Sequence, residues 1–180
     1  MECYVQVANL TPEGETFLKN VLAPDENEYE FSTNSLLKKL YGSTDEQIDS
    51  REYRVENIGS KWIHGSLEYA EDGEAEISTT SAWSVPYQMF LQLSKLLVKI
   101  SPDAVITGTY EDEGYDPCGA FIIANGYDDI EDVFGTDDVD HDKLWEDDDY
   151  RDSITEALHE ERTNMLQAYR EYLRELAEEI

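Results

Sequence analysis

The chain has 180 residues, of which 40% are hydrophobic and 12 are tyrosine, enough apolar material for one domain with a real core. Its 42 acidic against 13 basic residues give a formal charge of -29 and a sequence pI near 4.1. That balance excludes direct binding to nucleic acid, where Lys and Arg must release counterions from phosphates, and argues against an anionic membrane surface. No run approaches the roughly 18 to 20 apolar residues that span a bilayer. The first ten residues carry neither a basic nor an apolar signal region, so a cytoplasmic protein is expected.

Residues 3–9 read as a strand of β-branched and aromatic residues. Thr11 then caps a helix that Pro12 opens and Pro24 stops, with Phe17, Leu18, Val21 and Leu22 inward. A short helix over 33–41 follows the cap Ser32 and ends at Gly42, and the polar residues 43–51 read as a loop. From Lys61 the period becomes two, turns at Glu71-Asp72-Gly73 and returns through 74–81 with Ala75, Ile77 and Thr79 on one face, which predicts a hairpin. Pro86 opens a second long helix, with Met89, Phe90, Leu93, Leu96, Leu97 and Ile100 as its apolar stripe and Pro102 as its end. Strands are expected over 104–110 and 118–124, before an Asn125-Gly126 turn. Cys3 and Cys118 read as buried structural thiols rather than as a disulfide or catalytic pair.

This order of elements predicts an α+β fold containing the split βαβ plan of a ferredoxin-like antiparallel sheet, with helices on one face, over residues 1–126. Residues 127–180 read as an acidic segment followed by a long C-terminal helix from about Ser153. Its seam, Ile154, Leu158, Met165, Tyr169, Tyr172, Leu173, Leu176 and Ile180, is expected to dock on the chain's own body or on a second copy in a homodimer. Arg162, Arg170 and Arg174 on this helix are expected to meet the acidic segment or its equivalent across a dimer.

The central segment, about residues 56–126, resembles the Api-like family of phage- and plasmid-borne proteins with a ferredoxin-like domain. The resemblance rests on Gly59-Ser60-Lys61-Trp62, Ser81-Ala82-Trp83-Ser84-Val85-Pro86, Tyr110-Glu111-Asp112-Glu113-Gly114 and Cys118-Gly119. It implies a fold and a mobile-element origin rather than a chemistry. Physically these residues read as scaffold, with Ser84 capping the helix that Pro86 opens, Trp83 filling the sheet-to-helix corner and Gly119 at a bend or bulge.

No catalytic chemistry is expected. His64, His141 and His159 are too few and too scattered for a zinc site with two distant cysteines, and nucleophile-elbow, Cys-x-x-Cys and glycine-rich phosphate patterns are absent. No cofactor is expected. Asp138, Asp140, Asp142 and Asp149 imitate the oxygen ligands of a calcium loop, but Lys143 stands where such a loop needs glycine.

Residues 111–152 hold 17 acidic residues against Lys143 and Arg151, a net charge of -15. Ile130, Val133, Phe134, Val139, Leu144, Trp145 and Tyr150 recur among them, a spacing that lets acidic helices or turns dock while their outer faces stay charged. The expected partner-binding residues are Glu111, Asp112, Glu113, Asp128, Asp129, Glu131, Asp132, Asp137, Asp138, Asp140, Asp142, Glu146, Asp147, Asp148, Asp149 and Asp152. Carboxylates three or four apart on a helix lie about 5–6 Å apart, and duplex DNA carries one charge per about 1.7 Å of axis. The expectation is a nucleic-acid mimic that inhibits a host DNA-binding protein, such as a nuclease, restriction, CRISPR or repair factor, in the host cytoplasm. The alternative is an acidic calcium-binding or salt-adapted small protein.

Overall fold

The computed structural model describes residues 1–24, 30–115, 117–135 and 138–178. The fold is α+β, built on a seven-stranded, wholly antiparallel sheet. In chain order its elements are β1 (Glu2–Ala8), α1 (Pro12–Val21), β2 (Phe31–Ser32), α2 (Thr33–Tyr41), α3 (Asp45–Asp49), α4 (Arg51–Ile58), β3 (Ile63–Glu71), β4 (Glu74–Ser81), α5 (Tyr87–Leu97), β5 (Val105–Glu111), β6 (Cys118–Ala124), β7 (Tyr127–Phe134), α6 (His141–Glu146) and α7 (Asp148–Glu178). The strand order is β2-β3-β4-β1-β5-β6-β7, so β4 lies between β1 and β3.

Strand alternation sorts the side chains. In β1, Cys3, Val5 and Val7 point to one face and are buried, while Glu2, Tyr4 and Gln6 point to the other and are exposed. The first face, continued by Ile63, Ile77, Ile106, Phe121 and Ile123, packs against Leu18 of α1, Leu36 and Leu37 of α2, Ile48 of α3, Ile58 of α4, and Met89, Phe90 and Leu93 of α5. Thr11 caps α1 by accepting the Gly14 N–H, and Ser32 caps α2 by accepting that of Ser35.

The helices of residues 1–126, α1 to α5, lie on one face as expected, and α7, the C-terminal helix expected to dock on the body, covers the other. Every residue of β6, and all of β5 but its last, is buried. α7 lies over the second face, where Met165 and Tyr169 meet Val105, Ala120, Ile122 and Ala124, and Ile154 and Leu158 meet Cys118, Val139 and Leu144. The near-continuous apolar run Cys118–Ala124 is the signature of a strand buried on both sides.

Other differences have local causes. Residues 43–51 form α3 and the start of α4 rather than a loop. Thr44 and Gln47 make a reciprocal capping box, Ser50 accepts the Tyr53 N–H, and Ile48 is buried. α5 ends at Leu97, which leaves Ile100 outside it and partly exposed. Its N-cap is Pro86 without a side-chain hydrogen bond, because the Ser84 hydroxyl donates to the Gly59 carbonyl at 2.7 Å instead. Trp83 does not fill a corner: it is 75% exposed at φ +59°, with the Lys61 ammonium 5.5 Å from its ring centre.

The acidic stretch opens as an edge strand, β7, and not as helices or turns. Gly119 does sit at a bulge between β6 and β7, and a Cβ there would lie 2.1 Å from the Glu131 carbonyl oxygen and 2.4 Å from the Tyr110 hydroxyl. α7 starts at Asp148, five residues before the expected position, and its buried seam stops at Tyr169. Leu173 and Leu176 are exposed, and Ile180 lies outside the described residues. Both cysteines are buried and neither is in a disulfide; Cys3 faces the α1–α5 side and Cys118 the α7 side, so the sheet separates them.

Candidate acidic surface and the groove beside it

The expected acidic residues fall into three groups. The first is at the end of β5, where Glu111 stands opposite Glu2 of β1. Glu111 is half-buried, and burial first, then the Glu2 charge, hold its carboxyl above the usual range. Asp112 pairs with the α-ammonium of Met1 at 3.3 Å, and Glu113 is exposed. Tyr115, two residues on, packs with the α6 and α7 side chains, which brings this group to the same end of the sheet as those helices.

The second group is α6 and the first turns of α7. Several of its carboxylates serve the backbone. Asp138 accepts the Gly135 N–H at 2.9 Å, Asp140 caps α6 by accepting the Lys143 N–H, and Asp147 accepts the Tyr150 N–H at 3.2 Å. Asp148 pairs with Arg151, and the Lys143 ammonium lies 3.7 Å from Asp140. Asp142, Glu146, Asp149 and Asp152 are exposed and, among the described residues, have no hydrogen bond or ion pair. Trp145 stands among them, 68% exposed.

The third group is β7, which pleating splits. Asp128 and Asp132 share the α5 side of the sheet, where they accept hydrogen bonds from the Tyr87 and Tyr110 hydroxyls. Burial is the main cause, and these carboxylates a further one, of the raised pKa values of both tyrosines. Asp129 and Glu131 face the other way and are exposed. Asp137 lies outside the described residues.

Asp138 and Asp140 are engaged in turn and cap, and no group of three His, Cys, Asp or Glu among the described residues is arranged to hold a metal ion. What the first two groups offer is charge at one end of the sheet, continued along a helix. Asp149, Asp152, Glu156 and Glu160 are all exposed and follow one another at steps of three and four on α7. Their spacing along the axis is about 4.5–6 Å at 1.5 Å per residue. Glu156 and Glu160 lie beyond the stretch singled out by composition, and only the helical period links them to it.

A groove of about 400 Å³ lies between α7 and the second face of the sheet. Tyr4 and Gln6 of β1, Glu76 of β4, and Thr109 and Glu111 of β5 form its floor; Tyr115 and, on α7, Thr155, Leu158, His159 and Arg162 form its walls. The four α7 residues are at i, i+3, i+4 and i+7, one helix face. Tyr4 donates to Glu2 at 3.1 Å, and its phenol is pushed up to about 12 by burial, the Glu2 hydrogen bond and the nearby carboxylates. Arg162 is half-buried; burial lowers its pKa and Glu76 opposes that. It therefore faces Glu76 rather than the acidic segment it was expected to meet.

No helix among the described residues is long and apolar enough to cross a membrane. In comparisons with family models, curated proteins and solved structures, the chain matches none.

Proposed function

We propose that this chain is a cytoplasmic, acidic interaction protein of mobile-element origin that occupies the DNA-binding groove of a basic host protein. The observation that carries this reading is the α7 stripe, Asp149, Asp152, Glu156 and Glu160, four exposed carboxylates without described partners on one rigid helix beside Asp142 and Glu146. A docked helix holds charge at fixed intervals, as a duplex does, whereas a disordered acidic tail does not. The resemblance to Api-like proteins over residues 56–126 supplies the context of a phage or plasmid. The ferredoxin-like assignment of the core belongs to the same proposal. It draws support from β4 lying between β1 and β3, with β5 on the far side of β1, the strand order that a repeated split βαβ unit requires.

The test is competition with DNA. Proteins captured from host lysate at low salt are retested singly for displacement of bound duplex DNA by this chain, at two salt concentrations. Displacement should weaken at least about tenfold at the higher salt. It should also weaken in a variant carrying Asp149→Asn, Asp152→Asn, Glu156→Gln and Glu160→Gln. A partner that binds equally well at both salts, or that still holds its DNA, overturns mimicry.

A further inference from the structure

We propose that the groove under α7 is a binding site for a short, linear zwitterion of peptide length, with its ammonium toward Glu111 and its carboxylate toward Arg162. The argument starts from what the two ends of the groove lack. Arg162 is half-buried, yet among the described residues its guanidinium makes no hydrogen bond and no ion pair within 4 Å. Glu76 is close enough to act on its charge without closing on it. A planar fork of five N–H donors held in a groove in this way is a receptor for a carboxylate. At the other end Glu111 faces a second carboxylate, Glu2, and among the described residues makes no ion pair, the nearby Met1 ammonium being paired with Asp112. Tyr4 and Tyr115 line the groove there, a setting of carboxylate and aromatic rings that suits an ammonium group.

Length and charge narrow the ligand. Glu76 and Gln6 form a cross-strand pair, and Gln6 lies four residues along β1 from Glu2, the partner of Glu111. The two ends of the floor are thus about 16 Å apart, from about 13 Å along the strands at 3.3 Å per residue and two strand spacings of about 4.8 Å across them from β4 to β5, less the reach of the side chains. A free amino acid is too short to touch both ends, whereas an extended tripeptide covers about 10 Å. At a formal charge of -29 the molecule repels a simple anion at long range, and a simple cation at the Glu111 end leaves the Arg162 guanidinium without a partner. A zwitterion avoids the repulsion and meets both poles. Thr109 between the poles and Gln6 beside Glu76 offer neutral hydrogen-bonding groups, and the volume of about 400 Å³ is within the range of small-ligand sites.

The site stands apart from the acidic helix stripe, and its test needs no protein partner. Trialanine, N-acetyl-trialanine, trialanine amide and alanine are titrated into the full chain by calorimetry and by NMR. Trialanine should bind below about 10 mM, and blocking either end or shortening to alanine should weaken binding about tenfold. Arg162→Gln should abolish the preference for the acid over the amide, and Glu111→Gln the preference for the free over the acetylated amine. Arg162→Lys, which keeps the charge, should retain part of the first preference. No binding of trialanine at 10 mM, equal binding of all four probes, or preferences unchanged in both variants, each shown to be folded by a cooperative melt, would overturn the proposal.

Discussion

Glu111 shows how a single side chain couples the sheet to pH. It is opposite Glu2 across the β1–β5 ladder, and like charges so placed are destabilising by a few tenths to about 1 kcal/mol. Burial is the larger cause of its raised pKa and Glu2 the smaller; Tyr4 and Tyr115 also face it. The folded chain therefore holds the Glu111 proton more tightly than the unfolded chain does. Between the unfolded and the folded value the native state binds more protons, so this group's contribution to stability falls as pH rises. Glu111→Gln should match wild type below about pH 4, where both side chains are neutral, and should be more stable at pH 7. Urea unfolding of the two proteins from pH 4 to 7 checks this; a difference that stays constant with pH would show that the carboxyl is not perturbed.

At the scale of elements, α7 is held by half of its own length. Ile154, Leu158, Met165 and Tyr169 are buried, while Leu173 is 44% and Leu176 40% exposed although they continue the same period. Met165→Ala should cost about 2–4 kcal/mol and Leu173→Ala less than about 0.5, read by thermal melting of the full chain. Equal losses would mean that the helix docks along its whole length. Strands β1, β4 and β6 and helices α1 and α2 were legible because alternation, caps and Pro or Gly stops agree there. Those signals were also present for α3, in Thr44-x-x-Gln47, but its charged surface spoke for a loop. β7 was illegible because Asp is a poor strand former. Four of its eight residues are acidic, tolerated because this strand forms the sheet edge, where charge also blocks pairing with another chain. Of the site, the acidic density was visible in composition. The groove was not, since its residues come from β1, β4, β5 and α7, and only the fold unites them.

For the whole molecule the question is whether -29 is compensated internally. The ion pairs described are few: the Met1 ammonium with Asp112, Lys38 with Asp45, Lys143 with Asp140 and Arg151 with Asp148. The last three involve exposed side chains, and exposed pairs contribute little, so they offset little of the repulsion among the remaining carboxylates. Folding concentrates those charges into a smaller volume than the unfolded chain occupies, which makes repulsion a cost of the native state that salt reduces. The Debye length falls from about 30 Å at 0.01 M salt to about 3 Å at 1 M, below the spacing of most of these carboxylates. Raising NaCl over that range should therefore raise the melting temperature, and a gain of about 2 kcal/mol would appear as about 4–8 °C in a chain of this size. An uncharged osmolyte at equal osmolality serves as the control for general exclusion effects. A melting temperature that is flat or falls with NaCl would mean that attractive pairs outweigh the repulsion, and the acidic surface would then be part of what holds the fold together.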